Sequence, residues 1–181
     1  LNFKIQHDSS LSLIAFYHFT KFGLSTITKC ILGIFYIYVV MSIRDFMSKA
    51  PVTVAMDDRI EIVLDIFEHN DFHHVLVVSS GKLVGVISDR DLLRHLSPFA
   101  RSDVSTTRDE ATLNKRCHQI MSRNPVCLLP DEPLSNAVNH FHDDRISCLP
   151  VVNEDNEPLG IITVHDVIRL TKQKMARRQN T

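Results

Sequence analysis

Two short segments of the chain place a hydroxyl and a carboxylate three residues apart: Ser88-Asp89-Arg90-Asp91 and Thr163-Val164-His165-Asp166. A glycine and two apolar residues precede each one, as Gly85-Val86-Ile87 and Gly160-Ile161-Ile162. A Ser or Thr followed at the third position by an acidic residue is a capping-box-like helix start, worth about 0.5–2 kcal/mol without any ligand. The same arrangement offers free backbone amides to an anion such as phosphate. A carboxylate in the first turn can also accept both hydroxyls of a ribose. Capping accounts for Ser88, Asp91, Thr163 and Asp166 as local structure. It leaves the repeated glycine and the basic neighbours Arg90 and His165 unexplained.

Other chemistries find less support. His73 and His74 are adjacent, so a strand would point them to opposite faces. His140 and His142 are two apart on a helical stretch, which separates them around its surface. Half-buried or surface histidines are the better reading than a metal site. The chain carries no Gly-x-Ser-x-Gly elbow, P-loop or His-Glu-x-x-His, and Ser88 has no general base that sequence can identify. An enzyme is not expected. The four cysteines, Cys30, Cys117, Cys127 and Cys148, form no C-x-x-C pair and no disulfide framework, as in a cytoplasmic protein with reduced, partly buried thiols.

The elements that must position the two segments form an internal repeat. Met47-Ser48-Lys49-Ala50-Pro51-Val52 recurs as Met121-Ser122-Arg123-Asn124-Pro125-Val126, an offset of 74 that also carries Asp57 onto Asp131 and Val77-Val78 onto Val151-Val152. One extra residue in the second copy's turn then gives an offset of 75, which carries Gly85 onto Gly160, Asp91 onto Asp166 and Arg94 onto Arg169. Ile60, Val63, Leu64 and Phe67 lie at i, i+3, i+4 and i+7, the apolar stripe of a helix, and the first offset turns them into Leu134, Ala137, Val138 and Phe141. Strands are expected over Val75–Val78 and Leu83–Ile87, then over Leu149–Val152 and Leu159–Ile162, joined by turns at Ser79–Lys82 and Asn153–Pro158. Each copy reads as strand, helix, strand, hairpin turn, strand, helix. A unit of roughly 55 residues is marginal alone, and two sharing one core relieve that.

The two Met-Ser-x-x-Pro-Val openings, the Leu149-Pro150-Val151-Val152 strand and the two Gly-x-x-[Ser/Thr]-x-x-Asp endings resemble the CBS-domain family, named after cystathionine β-synthase, in its tandem arrangement. The resemblance covers Met41 to Thr171, and the Ser88-Asp89-Arg90-Asp91-Leu92 form looks most like stand-alone bacterial CBS-pair proteins. It implies an α/β fold, two β-α-β-β-α repeats paired through their sheets into one pseudo-symmetric module with clefts between them. It implies a regulatory adenine-nucleotide sensor, with AMP, ADP or ATP as ligand, with or without Mg, and S-adenosylmethionine or a dinucleotide as other candidates. By resemblance Asp91 and Asp166 serve the ribose, and Ser88 and Thr163, beside Arg90 and His165, lie toward phosphate. Thr53 and its counterpart Cys127 would stand beside base and ribose, with Cys127 losing the hydroxyl. Ile146, Ser147 and Cys148 would supply backbone contacts to the base, and Arg145 a phosphate contact. Where the second copy has Arg145 the first has Asp71, followed by Phe72-His73-His74, so two unequal sites are expected. A homodimer and an unknown effector protein are the family's implied partners. A ligand-free structural or dimerisation module is the alternative.

Composition is that of a globular chain, with 44 % hydrophobic and 23 % charged residues, and a net charge of −1 gives no global reason to expect nucleic acid. Residues 1–40 differ: they contain no Pro, Glu, Arg or Met, yet hold all three tyrosines. A native start at Met41 is the favoured expectation. A membrane anchor built on the apolar run Ile31–Met41, and with it a membrane-attached regulator, is the alternative, although Lys29 interrupts a full span. The expected organisation is thus an atypical extension at 1–40, repeat one at 41–96, a polar linker at 97–116 with a short helix near Glu110–Asn114, repeat two at 117–172, and a frayed basic tail at 173–181.

Overall fold

The computed structural model describes residues 41–144 and 146–179; the expectations placed on residues 1–40 and on Arg145 lie outside them. The first apolar stripe forms helix α1, Ile60–Glu68, with Ile60 and Val63 fully buried and Leu64 and Phe67 at the edge of the same core. Burying side chains of this size stabilises by about 1.5–3 kcal/mol each. Strands β1 (Ser48–Lys49), β2 (Thr53–Ala55), β3 (His74–Ser79) and β4 (Lys82–Ser88) belong to the first half, followed by helix α2, Asp89–His95. Ser80 and Gly81 turn the β3–β4 hairpin with φ of 50° and 78°, the positive values that a two-residue hairpin needs.

Helix α3, Thr107–Leu113, crosses the linker. It starts three residues before the expected short helix, because Thr106 and Asp109 make a reciprocal cap. The linker is also pinned: Arg101 reaches Glu61, Asp65 and Glu68 on α1 at 2.6–3.3 Å. The second half holds helix α4 (Cys117–Ile120), strand β5 (Ser122–Arg123), helix α5 (Leu134–Asp143), strands β6 (Cys148–Val152) and β7 (Pro158–Thr163), and helix α6 (Val164–Gln179). The expected frayed tail is instead helical through Gln179, where Lys, Gln, Met, Ala and Arg give an unbroken run of good helix formers.

Strand order is β2-β3-β4-β5 in one sheet and β1-β7-β6 in the other. The sequence boundaries of the repeats are therefore not their structural boundaries. β1, from the first repeat, pairs with β7 of the second, and β5, from the second, pairs with β4 of the first. The residues before them cross over as well. Ile43 and Arg44 donate to the carbonyls of Glu132 and Pro130, and 74 positions on, Cys117 and His118 donate to those of Asp58 and Met56, all at 2.8–2.9 Å. Cys117, Ile120 and Met121 join Val54, Ile60, Val63, Val75, Val77, Ile87 and Leu92 in the first repeat's core. Each repeat is completed by the opening of the other.

The second repeat's first strand is reduced to one parallel bridge, Leu128 to Val151. In the first repeat the Leu76 amide donates to the Val52 carbonyl at 3.0 Å. The residue in Leu76's place is Pro150, which has no N–H to give. β3 is buried on both faces: Val75 and Val77 meet α1 and α2, whereas Leu76 meets the other sheet with Leu83, Val86, Val152, Cys127, Cys148 and Ile161. That second cluster is the sheet-to-sheet pairing that the resemblance implied.

Candidate functional site

Both helix starts are closed by the expected side chains. Ser88 Oγ accepts the Asp91 amide at 3.2 Å, and Asp91 Oδ2 accepts from Ser88 N at 3.1 Å and from Ser88 Oγ at 2.7 Å. The Thr163–Asp166 pair repeats this with 3.3, 2.9 and 2.7 Å. The first amide of each helix is tied to a strand start: Asp89 N donates to the His73 carbonyl and Val164 N to that of Ser147. Backbone and cap together hold each carboxylate in place before any ligand arrives.

The glycines of the two motifs have a packing role. A β-carbon on Gly85 would come within 2.6 Å of Met121 Sδ and 2.9 Å of the Ser122 carbonyl. On Gly160 it would meet Met47 Sδ at 2.7 Å and the Ser48 carbonyl at 2.9 Å. The repeated glycine, which capping could not explain, is the seat of the Met-Ser opening that crosses from the other repeat.

Ser88, Asp91, Thr163 and Asp166 line one continuous cleft of about 930 Å³, with Arg90, His165 and Ser147 also in its walls. Clefts between the repeats and two unequal sites were expected; the pseudo-symmetry brings both helix starts to one cleft. Thr53 lies outside it: on edge strand β2 it pairs with Leu76 and stays exposed, while its neighbours Pro51 and Val52 form the wall. Ile146 is half-buried and not part of the wall, and Arg145 is outside the described residues.

Sequence reasoning missed several wall residues. Lys49 enters with the crossed-over opening. His73 places Nδ1 3.1 Å from Asp89 Oδ2, and His74 places Nε2 3.1 Å from Ser147 Oγ, bridging the two repeats across the cleft. Burial lowers the His74 imidazole below its ordinary range, against the opposing pull of Asp89. Arg94 and Arg169 stand one turn along α2 and α6 and face the outer oxygens of Asp91 and Asp166, at 3.7 Å and 2.8 Å. Their repetition at the offset of 75 was the signal that could have found them. Arg169 is exposed while Asp166 is not, so the guanidinium can leave the carboxylate at little packing cost.

The sequence model described as "CBS domain" matches residues 43–98 and 117–172, the same two repeats. The chain belongs to the CBS-domain family. A CBS domain-containing protein of Dictyostelium discoideum is 29 % identical over 130 residues, covering 71 % of this chain and 89 % of that one. The chain spans less of other relatives: 46 % of an uncharacterized Methanocaldococcus jannaschii protein, and 23 % of the same archaeon's L-aspartate semialdehyde sulfurtransferase. Among solved structures, a CBS domain pair in complex with 5-methylthioadenosine and S-adenosyl-L-methionine is 28 % identical, with a TM-score of 0.61 over 74 % of this chain and 98 % of that one. The cytosolic domain of the Mg2+ channel MgtE, in complex with ATP, is 26 % identical, with a TM-score of 0.53 over 69 % of this chain and 46 % of that one. The tandem CBS reading and the α/β fold of paired repeats stand. Among the described residues no helix of this CBS pair is long and apolar enough to cross a membrane.

Proposed function

We propose that this CBS pair is a regulatory module that binds an adenosine-containing ligand in the cleft and passes the resulting change of shape to an effector protein. The observation that carries the reading is the convergence of both capped carboxylates, Asp91 and Asp166, on one cleft built from both repeats. Its volume lies in the range of small-molecule sites, roughly 300–1,000 Å³. The walls include Ser48–Val52 and His74 from the first repeat, and Ser147 and Thr163–Asp166 from the second. A ligand touching residues of both repeats prefers one arrangement of them, and that differential affinity is the regulatory coupling. The complexes of the two solved relatives, with 5-methylthioadenosine and S-adenosyl-L-methionine in one and ATP in the other, support the adenosine class.

Within that class the reading is AMP, ADP or ATP, in a homodimeric cytoplasmic protein without catalytic activity of its own. Leu93 and Ile168, equivalent under the offset of 75, are 68 % and 59 % exposed on α2 and α6, and these two solvent-facing apolar side chains support self-association. The deciding experiment is a thermal-shift screen of nucleotide-free protein: a ligand at ~100 times its dissociation constant adds about 2.7 kcal/mol of stability. No shift with any adenosine ligand at millimolar concentration overturns the proposal. The reading of a ligand-free structural module gains from the glycines, whose packing role removes them from the argument for binding. Under that reading Asp91→Ala and Asp166→Ala weaken the helix caps and no binding signal exists to lose.

A further inference from the structure

The two carboxylates of the cleft differ in how much of each is left for a ligand. A carboxylate offers about four acceptor positions, and a ribose diol presents two O–H donors. At Asp166, Thr163 uses two positions on Oδ2, and Arg169 Nη2 donates to Oδ1 at 2.8 Å. One position remains, so a diol must displace the guanidinium. At Asp91, Ser88 likewise uses two positions on Oδ2, but Arg94 Nη1 is 3.7 Å from Oδ1, beyond hydrogen-bond length. Both positions of that oxygen remain, and a diol fits without displacing anything.

Resting on the adenosine reading, we propose that Arg169 is a specificity-determining residue: it makes the Asp166 half-site selective for phosphorylated nucleosides. The diol releases Arg169 from Asp166, and a guanidinium so released loses a charge-assisted hydrogen bond. A phosphate on the same ligand restores one, and a bare nucleoside does not. Arg169 is 57 % exposed at the mouth of the cleft, so its side chain is able to make that exchange.

The test is calorimetric titration of the full chain, freed of nucleotide, with adenosine and with AMP. Wild type is expected to bind AMP more tightly than adenosine. Arg169→Met is expected to weaken AMP by about tenfold or more and to tighten adenosine at the Asp166 half-site, collapsing the preference. Arg169→Lys keeps the charge and is expected to keep most of the AMP preference, and it serves if the methionine variant folds poorly. Equal weakening of both ligands in Arg169→Met, with a lowered melting temperature, gives Arg169 a structural role only and overturns the inference. Unchanged AMP affinity overturns it as well. Wild type binding neither ligand removes the adenosine reading itself, and this inference with it.

Discussion

Met121 Sδ stands 2.6 Å from where a β-carbon on Gly85 would lie, and through this contact the opening of the second repeat is seated on the sheet of the first. Gly85→Ala is expected to destabilise the protein by ~1–3 kcal/mol through overpacking. Shortening the methionine relieves only part of this, because the Ser122 carbonyl remains 2.9 Å from the same point. Urea unfolding of Gly85→Ala in the wild-type and Met121→Ala backgrounds measures the coupling. Equal costs in the two backgrounds would show that the methionine is not what excludes the β-carbon.

Ala50 and Asn124 are equivalent and share a left-handed backbone, with φ of 54° and 48°. Asn tolerates that conformation through local hydrogen bonding, and Ala has no such compensation. Ala50→Asn is therefore expected to stabilise by about 0.5–1 kcal/mol. Ala50→Gly is expected to gain at least as much, since glycine has no β-carbon to strain at positive φ and that relief outweighs its larger unfolded ensemble. Melting temperatures of the two variants give the order, and a loss in both contradicts it.

Burial depresses the His74 imidazole below its ordinary value of 6.5. A group whose folded-state value is lowered binds fewer protons folded than unfolded. Its contribution is complete above pH 6.5 and is lost as the pH falls through the lower folded-state value. Urea midpoints followed downward from neutral pH are expected to fall less steeply for His74→Gln than for wild type. Parallel curves would assign the acid sensitivity to other groups.

Burial also pushes the Cys148 thiol up to about 12 and the Cys117 thiol up to about 11, so neither holds a reactive thiolate near neutral pH. With an alkylating reagent at pH 8, peptide mass spectrometry is expected to show both labelled slowly in native protein and rapidly in urea. Rapid native labelling of Cys148 would mean that the sheet-to-sheet contact opens freely.

Much of this was legible in one dimension. The 74- and 75-residue offsets, the apolar stripes and the β-branched runs located α1, β3, β4, α5, β6 and β7, because burial of one helical face or alternate strand positions leaves a period in the residues. The caps at Ser88 and Thr163 were legible for the same reason: they are local, made within four residues.

What tertiary structure alone decided is who completes whom. That Met47 belongs over Gly160 and Met121 over Gly85 leaves no periodic trace, since each contact joins residues far apart along the chain. The meeting of both helix starts at one cleft, with Thr53 outside its wall, is likewise a matter of packing between distant segments. The sequence determined the repeated pair Asp-x-x-Arg at Asp91 and Asp166. Only packing set one guanidinium at 2.8 Å and the other at 3.7 Å, because side-chain geometry depends on neighbours that spacing does not name.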